Sequence, residues 1–411
     1  MLFNKKNLTT ILNTYLVGGF IRDKFIGINN TEKDWLITKI NFETMFKFGF
    51  KLVGRDFPVF LHAITKEEYA LARKDRKTKK GHAGFKCFFS KNINLKNDIY
   101  RRDLTCNTFI LHSTGSLTDI LNAQTDLKNK TLKHISFHFS DDPLRVFRLA
   151  RFWNKYYNKG FLISSHTYFL IKNLVAKNNL LQLSNERIIK EFHLALSFQT
   201  PAYFLNFLYQ TKSLYQVFND IHLLIEFSII KSFNIYLNLW IQLCNIYIKT
   251  YTNNTHIKLL LLFFKLKTAI FYKTSYKSKL NIKKLYSYYK DKLLLSKKYL
   301  GYITNLTIVN FLFHKILQNN NNTLNMLKKI TQSKNKLVIL NNLYICDINN
   351  RINDHISFFY KKYIILEILN SLTYIKLNNR DKFNKNDTIT YESKINTMFY
   401  TFKKNILNYI S

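Results

Sequence analysis

The stretch Tyr15-Leu16-Val17-Gly18-Gly19-Phe20-Ile21-Arg22-Asp23 joins an apolar segment, a glycine pair and an amphipathic segment. It predicts a short buried strand over residues 15–19 that ends in a glycine turn, then a helix from Phe20 to Ile26 that stops at Gly27. Main-chain N–H groups at a helix start can surround a phosphate, and Arg22 adds a charged donor. A tight turn with a surface arginine would have the same sequence, so the motif alone does not specify a ligand.

A pair of carboxylates follows in Glu32-Lys33-Asp34, at the start of a second predicted strand over residues 34–38. Residues i and i+2 of a strand point to the same face, so both carboxylates could share one or two Mg²⁺ ions. Such a pair, holding metal ions that contact phosphate oxygens, is the core of two-metal nucleotidyl transfer. A solvated turn is the alternative interpretation of this common pattern.

Arginines form a third feature, in Arg101-Arg102-Asp103 and in the segment 141–151, which contains Arg145, Arg148 and Arg151. The apolar residues of that segment recur at helical spacing and predict a helix from Asp141 onward. Asp142 and Arg145 are three residues apart, so an ion pair on one helix face is the simplest role for them. Three arginines in seven residues exceed what ion pairing needs and favour a nucleotide pocket.

The rest of the N-terminal half contains further predicted strands and a predicted loop. Short strands are predicted over residues 57–63 and 69–72, and a mobile basic loop over residues 74–84. Nine of the ten glycines lie before residue 161 and ten of the twelve arginines before residue 188. Arginine suits bidentate phosphate and base contacts better than lysine does, so the chemistry is expected in the first 190 residues or so.

Together, these motifs resemble the bacterial CCA-adding tRNA nucleotidyltransferases, of the class II nucleotidyltransferase and poly(A) polymerase superfamily. The resemblance covers about residues 15–198 and rests on ordered motifs: GGxxRD, [DE]xD, GRDFPVF (54–60), EYALAR (68–73), RRDLTxN (101–107), DDPLRVxRxARF (141–152) and SNERIIKE (184–191). It implies an α+β, polymerase-β-like nucleotidyltransferase head, followed by an all-α neck, body and tail. The implied domains are residues 1–140 (head), 141–200 (neck with a base-recognition helix) and 201–411 (tRNA-binding body and tail).

The resemblance also implies site residues. Glu32 and Asp34 would be the catalytic metal ligands, with Glu32 in place of the family's usual Asp, and Glu68 could supply a third carboxylate. The triphosphate would be held by Gly18, Gly19, Arg22, Arg102, Arg148 and Arg151. Asp119 would support the site. Mg²⁺ is the implied cofactor, and tRNA, CTP and ATP are the implied substrates.

Asp142 and Arg145 match the family's amino-acid template for the incoming base. Cytosine and adenine both present an amino donor beside a ring-nitrogen acceptor. A carboxylate can accept from the amine while a guanidinium donates to the ring nitrogen. Uracil and guanine reverse this pattern, so one pocket would accept CTP and ATP and reject UTP and GTP.

The C-terminal half differs from relatives that carry an HD domain. No His-Asp pair occurs in the sequence, and the nearest counterpart of a CHDLGK-like stretch, residues 262–267, lacks both ligands. Metal-dependent phosphatase or phosphodiesterase activity is therefore expected to be missing. The four C-terminal histidines, His222, His256, His314 and His355, are expected to be ordinary core or surface residues.

Composition limits the class of partner. Lys and Arg total 63 against 25 Asp and Glu, a formal charge of +38, which predicts a polyanionic partner even if codon bias contributes to it. No apolar run is long enough for a membrane span, no export signal is visible, and no CxxC spacing occurs among the four cysteines. We therefore expect a cytoplasmic protein with reduced thiols and no membrane or protein partner.

Three alternatives remain at this level. A poly(A) polymerase or a partial adder of CC or A alone would use the same chemistry. A catalytically decayed RNA-binding protein would explain Glu32 and the divergent C-terminal half. A basic membrane-surface protein is less favoured, because no amphipathic Lys/Arg–Trp/Leu helix is evident.

Overall fold

The computed structural model describes residues 12–54, 58–77, 85–198, 201–219, 222, 290–291 and 294. The chain divides into two units, Met1–Lys231 and Ser232–Ser411, and every helix and strand given below lies in the first. Among the described residues, no helix is both long and apolar enough to cross a membrane. Neither Cys87 nor Cys106 forms a disulfide bond, and Cys244 and Cys346 lie outside the described residues.

A mixed sheet of seven strands forms the N-terminal part. Its strands are β1 (Thr14–Val17), β2 (Asp34–Ile37), β3 (Lys51–Val53), β4 (Val59–Leu61), β5 (Glu68–Leu71), β8 (Ile110–His112) and β9 (Leu117–Thr118). Two more strands, β6 (Arg73–Lys77) and β7 (Phe85–Phe89), form a separate antiparallel hairpin, and β10 (Thr131–Leu132) pairs in parallel with β11 (Leu162–Ile163). The sheet order is β3-β4-β5-β2-β1-β8-β9, with only β2 and β5 parallel.

Helices cover this sheet and then continue as a helical segment. They are α1 (Gly19–Phe25), α2 (Phe42–Lys47), α3 (Leu95–Tyr100), α4 (Ala123–Lys128), α5 (Leu144–Tyr156), α6 (Ser165–Ala176), α7 (Asn185–Leu196), α8 (Ala202–Gln210) and α9 (Ser213–Val217). Short 3₁₀ turns lie at Thr105–Asn107, Phe137–Asp141, Tyr157–Lys159 and Asn179–Gln182. The α+β head and the helical segment after it agree with the predicted fold as far as the described residues extend.

The core lies on both faces of the sheet because strand residues alternate. Leu36 and Ile37 are neighbours in β2, and they belong to different apolar clusters. Ile37 packs with Met45 and Phe60, and Leu36 with Ile99 and others. Because β2 is packed on both faces of the sheet, the position of its first residue, Asp34, is fixed.

Most predicted elements are found within two residues of their expected limits, and β4 is shorter than predicted. The basic loop predicted over residues 74–84 is wrong in its first part, because residues 74–77 belong to β6. Within this charged strand, Asp75 accepts from Arg73 at 3.0 Å, and it also accepts from Arg101 at 3.5 Å. Residues 78–84 lie outside the described residues, as does the 55–57 part of GRDFPVF.

The helix expected from Asp141 begins instead at Leu144. Asp142 precedes Pro143 and has extended angles (φ −116°, ψ 101°), because the ring of a proline disfavours the helical region for the residue before it. The preceding residues form the 3₁₀ turn Phe137–Asp141. Because the helix starts later than predicted, the Asp142 side chain lies just before the N-terminus of α5 and not on a face of the helix.

Candidate active site

The paired carboxylates lie where β2 begins. Asp34 is the first residue of β2, and Glu32 is in the turn just before it. The Glu32 main-chain N–H donates to Asn30 Oδ1 at 2.9 Å, which fixes this turn. Glu68 stands beside Asp34 in the parallel register of β2 and β5. Among the described residues, however, no three His, Cys, Asp or Glu side chains form a cluster that could hold a metal ion, so Glu68 does not complete a preformed three-ligand site.

Groups of opposite charge act on the Asp34 carboxylate. Partial desolvation raises the pKa of the Asp34 carboxyl above its ordinary value, and the negative charge of Glu32 raises it further. Arg102 and Arg22 act in the opposite direction. Two carboxylates that repel each other, with only hard oxygen donors, suit a small divalent cation such as Mg²⁺. The residues present therefore fit a metal of this kind.

The guanidinium groups of Arg102 and Arg22 both lie close to the Gly18-Gly19 turn, where the glycines have no side chains. Gly18 has φ +73°, a conformation that favours glycine, and a Cβ there would lie 3.4 Å from Arg102 Nη1. A Cβ on Gly19 would lie 3.3 Å from Arg22 Nη2. The Gly18 N–H donates to the Phe109 carbonyl at 3.3 Å, so this N–H is already used and is not presented to a phosphate as the sequence suggested.

Arg22 is 4% exposed and is not the surface arginine of the simpler interpretation. Its Nε donates to Asp23 Oδ1 at 2.9 Å and its Nη1 to the Asn107 side chain. Its guanidinium also lies 4.8 Å from the Phe152 ring centre. Arg22 is thus held rigidly, which reduces the entropy that it would lose on binding an anion.

The other arginines predicted to bind phosphate also have protein acceptors. Arg102 donates to Asp98 through Nε and Nη2, at 3.2 and 3.0 Å, and to the Asn107 carbonyl at 3.1 Å. Arg148 donates to Asp103 at 2.8 Å, and its side chain remains 37% exposed. Arg151 donates to Glu191 at 2.6 Å.

These ion pairs fix the protonation states. Burial acts to raise the pKa of the Asp103 carboxyl, but Arg148 and the Asn107 hydrogen bond outweigh it, so the pKa lies well below its usual range. The pKa of Asp98 is likewise lowered by Arg101 and Arg102 against the effect of burial. Asp103 in turn raises the pKa of Arg148. Asp98, Asp103 and Arg148 are therefore charged at neutral pH.

Asp142 and Arg145 lie at the start of α5 but do not form the expected helical ion pair. Arg187 donates to both Asp142 oxygens, at 3.1 and 2.8 Å, and the Leu144 N–H donates to Oδ1 at 3.2 Å. Arg145 donates to two main-chain carbonyls, of His138 at 2.8 Å and of Arg101. Each side chain is thus fixed separately, and three of the five N–H groups of Arg145 are not engaged by these two bonds.

Sequence reasoning missed the groups that hold the arginines and Asp142, and those that contact Asp23. They are Asp23, Asn30, Asp98, Asp103, Asn107, Lys155, Tyr156, Arg187 and Glu191. Several of them lie inside the quoted motifs, next to the candidate site residues, so the motifs themselves could have indicated them. Asp98, Asn30, Lys155 and Tyr156 had no such signal, because only the tertiary structure brings them close.

Asp119 caps a helix. Its two oxygens accept from the N–H groups of Ala123 and Gln124, each at 2.9 Å, at the start of α4. Of the four histidines expected to be ordinary, His222 is described and is buried, whereas His256, His314 and His355 lie outside the described residues. Residues 262–267 also lie outside them.

Comparison with known proteins finds similarity to the family that the motifs resemble. Residues 14–133 match the family of the Poly A polymerase head domain. The Multifunctional CCA protein of Vibrio vulnificus (strain CMCP6) is 44% identical over 210 residues, 51% of this chain and 52% of that protein. That of Mannheimia succiniciproducens is 42% identical over 213 residues, 52% of this chain and 51% of that protein. The chain thus spans about half the length of the curated relatives it matches.

Solved structures share the fold at low identity. A CCA-adding enzyme in its apo form II has a TM-score of 0.57 and 18% identity, covering 95% of this chain and 88% of that one. A tRNA nucleotidyltransferase complexed with a primer tRNA and an incoming ATP analog has a TM-score of 0.55 and 17% identity, covering 90% and 99%. The resemblance to the CCA-adding tRNA nucleotidyltransferases is confirmed for the N-terminal half.

Proposed function

We propose that the protein adds CCA to the 3′ end of tRNA from CTP and ATP, without a nucleic-acid template, and releases pyrophosphate. One observation carries this proposal: Asp34 lies opposite Val17 in the register of β1 and β2, beside the Gly18-Gly19 turn that the guanidinium groups of Arg102 and Arg22 approach. Carboxylates for metal and guanidinium groups for phosphate are the two requirements of nucleotidyl transfer. The similarity of about half the chain to Multifunctional CCA proteins supports the substrate assignment.

Glu32 and Asp34 would hold Mg²⁺. The bound metal would supply charge neutralisation at the α-phosphate and a lowered pKa for the attacking 3′-OH. Glu32 is one methylene longer than the usual Asp, so its backbone must be placed accordingly. The Asn30 hydrogen bond to the Glu32 N–H determines that placement.

Arg22 and Arg102 flank the turn at Gly18 and Gly19, and we assign them to the triphosphate together with Arg148 and Arg151. Because each has a carboxylate or carbonyl acceptor in the protein, its remaining N–H donors are aimed before the nucleotide arrives. This preorganisation favours the charge that develops on the leaving pyrophosphate.

Asp142 and Arg145 would read the base. The Asp142 carboxylate keeps free lone pairs beside its two Arg187 contacts and can accept from the amino group of cytosine or adenine. Arg145 keeps unused N–H donors for the ring nitrogen. Their separate fixation in the protein lets the two groups face one base edge together without neutralising each other.

We assign residues 1–140 to the head, 141–200 to the neck and 201–411 to a tRNA-binding body and tail in the cytoplasm. The large positive charge of the chain supports the binding of tRNA phosphates.

Incubation with a tRNA that lacks CCA, with each nucleotide singly and in mixture, tests this function. Sequencing of the 3′ ends should show C, C and then A with Mg²⁺. The Asp34→Ala variant should lose incorporation while keeping tRNA affinity. Long adenosine tails from ATP alone would indicate a poly(A) polymerase instead. Addition of CC alone or of A alone would indicate a partial adder. Binding of tRNA without any incorporation would indicate a catalytically decayed RNA-binding protein.

A further inference from the structure

A groove of about 700 Å³ lies at the far end of α1 from the Gly18-Gly19 turn. Its apolar lining includes Phe25, Leu127 and Phe161, and its basic lining is Lys128, Lys130 and Lys159. Helix α1 has seven residues, so the groove is about 10 Å along the helix axis from the glycine turn. None of the functional residues assigned above lines it.

The tertiary structure brings the three lysines together. Lys128 is the last residue of α4 and Lys130 follows it closely, whereas Lys159 lies in the turn before β11. Parallel pairing of β10 with β11 joins the two segments, with the Leu162 N–H donating to the Lys130 carbonyl at 2.8 Å. Gly160 has φ +80°, and a Cβ there would lie 3.6 Å from Lys130 Nζ, so the lysine passes close to this turn. The cluster is therefore part of the folded framework.

The charge of the groove has one sign. All three lysines are exposed, and none of the residues lining the groove is acidic. Three ammonium groups gathered in this way repel one another unless an anion lies between them. A ligand with several phosphates would relieve that repulsion.

An aromatic surface lies beside the lysines. Phe25 is 51% exposed, and its position is fixed by the Phe109 ring, whose centre is 5.1 Å away. The side-chain amides of Gln124 and Asn158 also line the groove and can bond to base edges. A positive groove with an exposed aromatic ring is the combination that binds single-stranded nucleic acid, the backbone on the cations and a base on the ring.

We infer that this groove is a second RNA contact site, which binds the backbone phosphates and one unpaired base of the tRNA away from its 3′ end. The choice of RNA rests on the proposed function, because tRNA is the polyanion that the protein would meet on every reaction. The site would hold the tRNA body while its 3′ end lies at the carboxylates. It contributes affinity for RNA and takes no part in nucleotide selection.

The test compares two triple variants of the full-length protein. Lys128→Gln, Lys130→Gln and Lys159→Gln together remove the groove's charge, whereas Lys51→Gln, Lys91→Gln and Lys96→Gln remove the same charge from exposed head positions outside the groove. The Kd for tRNA lacking CCA is measured between 50 and 300 mM salt. The groove variant should lower the slope of log K against log salt by about 2, because each phosphate that a lysine neutralises contributes about 0.7 to 0.9 to that slope. The control variant should keep the wild-type slope.

Two further measurements make the result specific. Phe25→Ala should weaken tRNA binding by about tenfold with the salt slope unchanged, because stacking is not ionic. Incorporation of CTP at saturating tRNA should be unchanged in the groove variant. A groove variant and control with equal slopes would overturn the site, and so would a loss of CTP affinity without loss of RNA affinity.

The same data keep this inference separate from the proposed function. A wild-type protein that binds tRNA but adds no nucleotide would refute the enzymatic proposal, while a reduced slope in the groove variant would still establish the RNA site. A wild-type protein that adds CCA, with equal slopes in both triple variants, would refute the RNA site and leave the enzymatic proposal intact.

Discussion

At the residue scale, Asn30 connects the buried interior to the carboxylates that we propose as metal ligands. Its Nδ2 donates to Asp23 Oδ2 at 2.8 Å, and its Oδ1 accepts from the Glu32 N–H at 2.9 Å. The amide therefore joins the fully buried Asp23 to the turn that carries Glu32. We interpret Asn30 as a positioning residue, since a ligand displaced by about 1 Å can cost about 100-fold in rate.

Asn30→Ala should lower kcat by about 10- to 100-fold and raise the Mg²⁺ concentration for half-maximal rate, with the KM for CTP little changed. Steady-state kinetics at several Mg²⁺ concentrations measure both effects. Asn29→Ala, at the exposed neighbour, is the matched control and should behave as wild type. A normal kcat and a normal Mg²⁺ dependence in Asn30→Ala would remove the positioning role.

Arg145 is the second residue whose proposed role, recognition of the base, can be tested separately from its contribution to stability. Arg145→Ala should reduce discrimination against UTP and GTP by at least about tenfold, on the scale of one hydrogen bond to a charged group, about 1.5–3 kcal/mol. Single-turnover incorporation of the four nucleotides measures the ratio, and thermal melting checks that removing the bonds from Arg145 to the main chain has not unfolded the protein. An unchanged CTP to UTP ratio in a folded variant would withdraw the template assignment.

At the scale of elements, one carboxylate joins the last turn of helix α5 to helix α1. Asp23 at the centre of α1 accepts from Lys155 Nζ at 2.8 Å and from the Tyr156 hydroxyl at 2.5 Å, and both donors lie in the last turn of α5. Asp23 has no exposed surface. Burial acts to raise its pKa, but Arg22, Lys155 and Tyr156 outweigh burial, so the pKa is below its ordinary value. The charged form therefore stabilises the junction.

Asp23→Ala should lower the free energy of unfolding by about 3–5 kcal/mol, because it removes the carboxylate that the buried Arg22 and the partly buried Lys155 share as an acceptor. Denaturant titration measures the decrease at pH 7. A group with a lowered folded-state pKa stabilises above its unfolded pKa of 3.8 and loses this effect as the pH falls through the lower, folded pKa. The difference between wild type and variant should therefore be full above about pH 5 and shrink below about pH 4. A difference that grew on acidification would contradict a charged Asp23.

At the scale of the whole molecule, the sequence lacks a His-Asp pair, and this absence predicts a narrower activity. Purified protein should release no phosphate from a phosphomonoester or a 2′,3′-cyclic phosphodiester with Mg²⁺ or Ni²⁺. Robust release that a chelator abolishes would contradict this prediction. Nucleotide incorporation by the same preparation serves as the positive control.

Sequence alone determined the features that depend on local pattern. The glycine turn, the strand at Asp34 and the arginine-rich helix were legible because glycine tolerates φ > 0, strands alternate and helices repeat every 3.6 residues. The motifs also carried the family resemblance of the N-terminal half. They could not show that Asp142 pairs with Arg187 or that Arg148 pairs with Asp103, 45 residues away in each case.

Only the tertiary structure decided which charges are paired and which remain available. Asp23, Lys155 and Tyr156 are brought together by the docking of α5 on α1, across more than 130 residues of chain. The groove lysines meet through the pairing of β10 with β11. A charge finds its partner through long-range packing, and a sequence pattern registers only neighbours along the chain. The sequence therefore placed the chemical groups, and the fold determined which of them are fixed by protein and which face a ligand.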